Sequence, residues 1–127
     1  MIEVKNIIKS FEGRAVLNNI SAVFETGKTN LIIGRSGSGK TVMIKSIIGL
    51  IKPDSGQILY DNRDFTCMNK KELHEVRREM GMLFQGSALF DSMTVLENVM
   101  FPLEMFSKDS KKEKLARAQF CLDRVNL

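Results

Sequence analysis

Four residue types are scarce in this 127-residue chain, which has no tryptophan, two prolines, one histidine and two cysteines. The cysteines, Cys67 and Cys121, lie far apart and outside any CxxC spacing, so we expect reduced thiols. The single histidine, His74, lies in a highly charged stretch and is expected on the solvated face of a helix. This scarcity argues against a disulfide framework and against a zinc site.

Long apolar runs are also missing. No run approaches the roughly 18 residues that a membrane-spanning helix requires. Residues 1–5 predict the start of a strand and not a charged leader followed by an apolar segment. Apolar residues make up 43% of the chain and charged residues 27%, the balance of a soluble protein. We therefore expect one modest cytoplasmic domain, or part of a larger one.

The charge of the chain has little excess of either sign. The formal net charge of +4 fits anionic small ligands or an acidic lipid surface, but it is too weak to indicate nucleic acid. The basic run from Lys108 to Arg117 predicts the solvated face of a helix. No nucleic-acid partner is expected.

The apolar patterning predicts alternating strands and helices. Strands are expected over residues 2–8, 16–24 and 57–60, and buried strands of a parallel sheet over 31–33 and 81–84. Helices are expected over residues 42–50, 70–79, 95–100 and 110–125. Thr94 is a predicted helix cap, Pro102 is expected to interrupt the helical pattern, and Ser110 with Glu113 predicts a capping box.

The strongest motif follows the strand predicted over residues 31–33 and satisfies the pattern GxxxxGK[ST]. Its members are Gly34, Arg35, Ser36, Gly37, Ser38, Gly39, Lys40 and Thr41. Glycines allow backbone N–H groups to approach phosphate oxygens, and the following helix adds its positive N-terminal end. Lys40 can reach the β- and γ-phosphates, and the Thr41 hydroxyl can bind Mg²⁺. The motif predicts nucleotide binding.

This phosphate-binding loop (P-loop) occurs in GTPases, nucleotide kinases, motors and transport ATPases, so other features must discriminate among them. Phe11 lies upstream of the loop, in a β-region where it could stack on a nucleobase. Gln85 directly follows the strand predicted over residues 81–84. After it comes an apolar tract that is suited to docking a protein, with Ala88, Leu89, Phe90 and Met93.

With these features the sequence resembles the ATP-binding-cassette (ABC) transporter ATPases along its whole length. The resemblance implies an α/β fold: a P-loop NTPase core with an N-terminal antiparallel β subdomain, and the start of a helical subdomain. The expected boundaries are 1–84 for the nucleotide-binding core, and 85–127 for the Q-loop and the beginning of the helical subdomain.

The resemblance also implies roles for individual residues. Phe11 packs on adenine, and Gln85 is the Q-loop glutamine, which approaches Mg²⁺ and the attacking water. The expected ATP contacts are Phe11, Val16, residues 34–41 and Val42, with Thr41 and Gln85 at Mg²⁺ and Lys40 and Gln85 as catalytic residues. The expected docking residues are Ser87, Ala88, Leu89, Phe90 and Met93.

The tract Gln85-Gly86-Ser87-Ala88-Leu89-Phe90-Asp91-Ser92 resembles the ATPases of Mla/Mce-type phospholipid transport systems. That resemblance implies four things: integral membrane permease subunits as partners, a second copy of the ATPase, phospholipid handled by the complex, and a peripheral position on the inner face of a bacterial cytoplasmic membrane.

Two alternatives remain open. One is an ABC system of another kind, such as an amino-acid importer or a cell-division type. The other is a soluble P-loop kinase or GTPase, in which Phe11 would have no role.

The sequence departs from the ABC pattern at two points. Val42 replaces a hydroxyl residue that touches the α-phosphate in many members, and the lost hydrogen bond costs roughly 0.5–1.5 kcal/mol of affinity. The signature motif, the Walker B strand and the switch histidine are absent, so the chain is expected to be the N-terminal half of an ATPase. Alone, it is expected to bind ATP weakly or not at all and to hydrolyse essentially none, and its unpaired sheet edge favours aggregation.

Overall fold

The computed structural model describes residues 1–84, 86 and 88–127. The chain forms two compact units, Met1–Met82 and Leu83–Leu127. The first unit contains a β-sheet and two helices, and the second contains two helices. That these units correspond to the two predicted subdomains stays a prediction.

An antiparallel sheet forms most of the first unit. Its strands are β1 (Ile2–Phe11), β2 (Arg14–Phe24), β3 (Ser55–Tyr60) and β4 (Arg63–Asp64), in the order β2-β1-β3-β4. Every neighbouring pair is antiparallel. The predicted N-terminal antiparallel subdomain is confirmed, and β4 is a short strand that the sequence patterning did not predict.

A bulge in β1 explains which of its side chains enter the core. The pairing register with β2 shifts between Val4 and Ile7, where Asn6 has a left-handed φ of 51°. Because a bulge adds one residue to one strand, Val4 and Ile7 both face the core although they are three positions apart. The Asn6 side-chain Nδ2 donates to Asn19 Oδ1 at 2.9 Å, which ties the bulge to β2.

The first helix, α1 (Lys40–Ile47), packs its apolar face into the core of this sheet. Met43 and Ile47 are buried beside Val4 and Ile58. The helix was predicted to continue to residue 50, but it ends at Ile47 because Gly49 adopts a φ of 71°, a conformation that terminates helices.

Helix α2 (Lys70–Arg78) closes the first unit. Asn69 caps its start by accepting hydrogen bonds from the backbone N–H groups of Lys71 and Glu72. At its other end, the Arg77 guanidinium donates to the carbonyl oxygens of Ile48 and Gly49. Arg77 thereby satisfies carbonyl groups that the end of α1 leaves without helical partners.

A buried tyrosine joins the sheet to α1. The Tyr60 hydroxyl donates to the carbonyl oxygen of Ile47 at 2.6 Å, and its ring lies 5.0 Å from that of Phe65. Burial raises the pKa of Tyr60 to about 12, because the phenolate would lose its hydration. The phenol therefore stays protonated and keeps donating at every physiological pH.

The prediction of two buried parallel strands is wrong. Residues 31–33 and 81–84 form no strand, and Leu31, Ile33 and Leu83 are 82%, 81% and 96% exposed. A strand requires a neighbour that pairs with its N–H and C=O groups, and no described residue provides one for these segments. Of the first segment, only Ile32 packs against the core.

The second unit is a pair of helices, α3 (Val95–Phe106) and α4 (Lys111–Asp123). Both predicted starts are confirmed, since Thr94 with Glu97 and Ser110 with Glu113 form capping boxes. The expected interruption at Pro102 is wrong, because α3 continues to Phe106. The loss of one backbone hydrogen bond at Pro102 is outweighed by packing against α4, whose Ala118 and Leu122 are buried. None of the helices in the described residues is long and apolar enough to cross a bilayer.

Candidate functional site: a phosphate-binding loop

The glycine-rich loop ends where α1 begins, as the motif predicts. Gly39 is the N-cap of α1, with a left-handed φ of 90°, and it offers no side chain to the free N–H groups of the first turn. No acidic residue lies in that turn. Uncapped N–H groups at a helix N-terminus attract anions, because their partial positive charges add to the helix dipole.

Close contacts require glycine at position 39 of the loop. A Cβ atom on Gly39 would lie 2.8 Å from the carbonyl oxygen of Val16, besides requiring an unfavourable φ. At Gly34 a Cβ atom would meet only the Ser38 hydroxyl, at 2.6 Å, and that side chain can rotate away. The loop therefore packs its backbone directly against β2 at Gly39.

Lys40 folds back over the loop that precedes it. Its ammonium nitrogen donates to the carbonyl oxygens of Gly34 at 2.7 Å and Arg35 at 2.8 Å. The backbone N–H of Ser38 also donates to the carbonyl oxygen of Arg35, at 3.2 Å. These bonds curve the loop and hold one positive charge directly above it.

The loop borders a cavity of 160 Å³, which we call the P-loop cavity. Its lining consists of Val16, Gly37, Ser38, Gly39, Lys40, Thr41 and Val42. Seven of the predicted ATP contacts thus meet at one place, including Val16, which comes from a different element. Gly34, Arg35 and Ser36 lie at the start of the loop, are exposed, and do not belong to this lining.

Phe11 stands at the end of β1 and pairs with Arg14 across the hairpin to β2. Its ring is 43% exposed, and the Lys9 ammonium lies 5.4 Å from the ring centroid. The ring is therefore accessible and belongs to the same hairpin as Val16. It does not line the P-loop cavity, so its stacking on adenine stays a prediction.

The residues present suit a magnesium ion that arrives with a nucleotide. Thr41 lies in the first turn of α1, is exposed, and lines the P-loop cavity. A hydroxyl oxygen is a hard ligand of the kind that Mg²⁺ prefers, and phosphate oxygens and water would supply its remaining ligands. Within the described parts of the chain, no cluster of three or more His, Cys, Asp or Glu side chains could hold a metal ion.

The remaining predicted site residues belong to the second unit or lie outside the description. Gln85 and Ser87 are not among the described residues, so their predicted roles stay predictions. Ala88, Leu89 and Phe90 are exposed and Met93 is half-buried. The Phe90 ring lies 4.8 Å from that of Phe101, so it is already partly engaged within its own unit.

Asn98 organises this apolar segment, a role that the sequence analysis missed. Its Oδ1 accepts from the backbone N–H of Phe90 at 2.8 Å, and its Nδ2 donates to the carbonyl oxygens of Phe90, Met93 and Thr94. The sequence does show a polar residue one turn after the predicted cap Thr94. That position alone does not indicate which backbone groups the Asn98 side chain binds.

Comparisons with known proteins agree on one family. A family model described as "ABC transporter" matches residues 17–127. The chain is 42% identical, over 103 residues, to the intermembrane phospholipid transport system ATP-binding protein MlaF of Haemophilus influenzae, covering 81% of the chain and 39% of MlaF. It is 39% identical, over 127 residues, to the methionine import ATP-binding protein MetN of Rhizobium johnstonii, covering 100% of the chain and 35% of MetN.

A solved structure shows the same fold. The chain superimposes on the ATP-binding cassette MJ0796, in a dimeric post-hydrolysis state bound to ADP and Pi, with a TM-score of 0.90 and 33% identity. The match covers 100% of this chain and 58% of that one. The chain spans between 35% and 39% of the length of these two curated relatives. The predicted fold, a partial N-terminal ABC ATPase, is confirmed.

Proposed function

Because the chain belongs to the ABC transporter family, we propose that it is the nucleotide-binding part of a transport ATPase. One observation carries the proposal: the residues that line the P-loop cavity combine a lysine ammonium, uncapped helix N–H groups and a hydroxyl. This combination fits the β- and γ-phosphates of a nucleotide together with Mg²⁺.

Each residue has a defined part in this proposal. Lys40 moves its ammonium from the carbonyl oxygens of Gly34 and Arg35 to the phosphate oxygens, where it stabilises developing negative charge. Thr41 would supply one oxygen to Mg²⁺. Val16 would contact the nucleotide from β2, and the exposed ring of Phe11 would stack on adenine. Gln85 would position the attacking water.

A titration of the intact gene product with Mg-ATP tests nucleotide binding. We expect Lys40→Ala to weaken binding about 10- to 100-fold, because hydrogen bonds to a charged group contribute about 1.5–3 kcal/mol. Lys28→Ala removes the same charge from an exposed residue outside the P-loop cavity and should leave the dissociation constant unchanged. Binding can be followed by isothermal calorimetry.

Two results would contradict the assignment. The first is an absence of Mg-ATP affinity in the intact gene product, and the second is equal dissociation constants for its two lysine variants. Phe11→Ala separates the ABC proposal from the alternative of a soluble P-loop kinase or GTPase. Only the ABC arrangement predicts weaker ATP binding for that variant.

We expect the 127-residue chain by itself to hydrolyse essentially no ATP. No carboxylate is among the residues that line the P-loop cavity, so the part of the chain that is described supplies no general base there. For the complete ATPase, we propose that two copies enclose two ATP molecules. The dimeric state of the similar cassette MJ0796 supports this arrangement.

For the transported substrate we propose phospholipid, with membrane permease subunits as partners at the inner face of a bacterial cytoplasmic membrane. The tract that begins at Gln85 and the 42% identity to MlaF support this proposal. Leu89, 64% exposed, and its neighbours Ala88, Phe90 and Met93, with Ser87, would dock the permease. Burial of these apolar side chains would drive association with the permease, so docking there does not require complementary charges.

An amino-acid importer is the second candidate, because the similarity to MetN extends over all 127 residues. Co-purification of the intact gene product with its permease separates the two candidates. Phospholipid in the purified complex supports the first. A complex that lacks lipid and binds methionine would replace it with the second.

A further inference from the structure

A second cavity of 310 Å³ lies in the first unit, and none of its lining residues belongs to the phosphate-binding loop. We call it the α1–α2 cavity, because the end of α1 and the start of α2 border it. It is lined by Ser46, Gly49, Ile51, Lys52, Pro53, Ile58, Phe65, Thr66, Met68, Lys70 and Leu73. The proposed nucleotide function gives this space no role.

The interior of the α1–α2 cavity is apolar. Phe65 and Ile58 are 3% and 0% exposed, and Met68 and Leu73 pack against the same core. Ser46 contributes little polarity, since its hydroxyl already donates to the carbonyl oxygen of Val42 at 2.8 Å. The walls therefore favour an alkyl or other apolar group over water.

The charges that border the cavity are all positive. Lys52 and Lys70 line it, and the lining contains no aspartate or glutamate. Within residues 1–84, 86 and 88–127, neither lysine ammonium forms an ion pair or a hydrogen bond. Two cations without a counter-ion beside an apolar space suit a ligand that is acidic at one end.

Nearby carboxylates are engaged elsewhere. Asp54, two residues after Lys52, accepts from the Lys9 ammonium at 2.6 Å and from the Ser10 backbone N–H at 2.7 Å. The Lys9 hydrogen bond holds the pKa of Asp54 below its usual value of 3.8. Asp64 accepts hydrogen bonds from Thr66 and Gln57. Neither carboxylate neutralises the lysines that border the cavity.

The size of the cavity limits the ligand. At roughly 30 Å³ for each water-sized group, 310 Å³ holds about ten non-hydrogen atoms. This volume lies at the small end of the range of about 300–1,000 Å³ for small-molecule sites. It matches a single medium-length alkyl chain.

We propose that the α1–α2 cavity binds a single-chain anionic amphiphile, such as a medium-chain fatty carboxylate. The alkyl chain lies along the half-buried side chains of Ile51, Met68 and Leu73, and the acidic head group lies between Lys52 and Lys70. Pairing with the head group supplies both lysines with the counter-ion that they lack. Burial of the chain supplies most of the affinity.

The test measures octanoate binding, by isothermal calorimetry, to the wild-type protein and to two variants of equal net charge. The variant K52Q/K70Q removes both ammonium groups from the cavity border. The control K28Q/K71Q removes two exposed lysines that do not line it. We expect about three- to tenfold weaker binding in K52Q/K70Q and an unchanged dissociation constant in the control, since exposed ion pairs contribute modestly.

Octanol provides the matching control for the head group. It should bind the wild-type protein more weakly than octanoate, and K52Q/K70Q should leave its affinity unchanged. In nuclear magnetic resonance spectra, octanoate should shift the signals of Phe65, Met68 and Leu73. All four lysines are exposed, so both double variants are expected to fold.

Four outcomes would overturn the proposal. They are absence of octanoate binding by the wild-type protein, equal dissociation constants for the two double variants, equal affinity for octanol and octanoate, and displacement of octanoate by Mg-ATP. The last would place the carboxylate at the P-loop instead. Because ATP binding is measured separately through Lys40, failure here leaves the nucleotide proposal intact.

Discussion

Gly49 shows how much one residue can constrain the first unit. Its φ of 71° ends α1, its carbonyl oxygen accepts from Arg77, and a Cβ atom there would lie 2.4 Å from the Phe65 ring. The position thus needs both the left-handed backbone and the empty space that only glycine provides.

We predict that Gly49→Ala destabilises the protein by about 1–3 kcal/mol, from left-handed strain and from the clash with Phe65. Gly81→Ala is the control, because nothing lies within 4 Å of its added Cβ and its φ is not positive. Denaturant unfolding of both variants measures the difference. Equal midpoints would show that Phe65 moves aside without cost.

At the scale of single residues, the sequence predicts the type of site from a local motif, but it does not show which distant residues contact that site. The spacing from Gly34 to Thr41 was enough to predict a phosphate site, because the motif is local and its geometry follows from glycine and a helix start. Val16 was named only through the family resemblance. Its contact with the loop depends on β2 lying beside α1, which no local pattern specifies.

Among the elements, the start of α4 is defined by reciprocal hydrogen bonds. Ser110 Oγ accepts from the backbone N–H of Glu113, and the Glu113 carboxylate accepts from the Ser110 backbone N–H at 2.8 Å. Hydrogen bonds from the Ser110 hydroxyl and backbone hold the pKa of Glu113 below its usual value of 4.5.

We predict that Ser110→Ala lowers the stability of the α3–α4 unit by about 0.5–2 kcal/mol, the usual cost of losing an N-cap. Ser92→Ala, at an exposed serine outside both capping boxes, is the control and should change little. Hydrogen exchange at the first turn of α4 measures the effect. Unchanged exchange in Ser110→Ala would refute a stabilising cap.

The stabilisation of α4 by the Ser110–Glu113 capping box depends on pH. Because the pKa of Glu113 is lowered by folding, its contribution is complete above its unfolded value of 4.5 and is lost as the pH falls through the lower folded value. In Glu113→Gln, this acid-dependent loosening of α4 should be absent.

Helices were predicted correctly where the deciding residues lie close together in the sequence. They were predicted poorly where packing between elements decides. Capping residues correctly located the starts of α3 and α4, since a cap and its partner are three residues apart. The expected end of the helix at Pro102 was wrong, because packing of α3 on α4 outweighs one missing hydrogen bond.

At the scale of the whole molecule, exposed apolar side chains are the main reason to expect self-association. Leu31 and Ile33 are 82% and 81% exposed, in a segment that forms no strand with any of the described residues. Unpaired extended segments of this composition readily pair with another chain.

We predict that L31T/I33T lowers self-association of the 127-residue chain without lowering its unfolding midpoint. Val23→Thr is the control: Val23 is 58% exposed but lies in the paired strand β2, so its replacement should leave self-association unchanged. Sedimentation velocity over a range of concentrations measures the outcome. Equal association of L31T/I33T and the wild-type chain would exclude this segment as the cause.

The sequence by itself determined the glycine-rich motif, the starts of α3 and α4 and the family, because each depends on residues close together in the chain or on recurring motifs. Only the tertiary structure decided which extended segments become strands, that Val16 joins the loop, and that Lys52 and Lys70 border one apolar cavity. These features depend on contacts between distant segments. A strand exists only beside a partner, and a cavity only between the elements that enclose it.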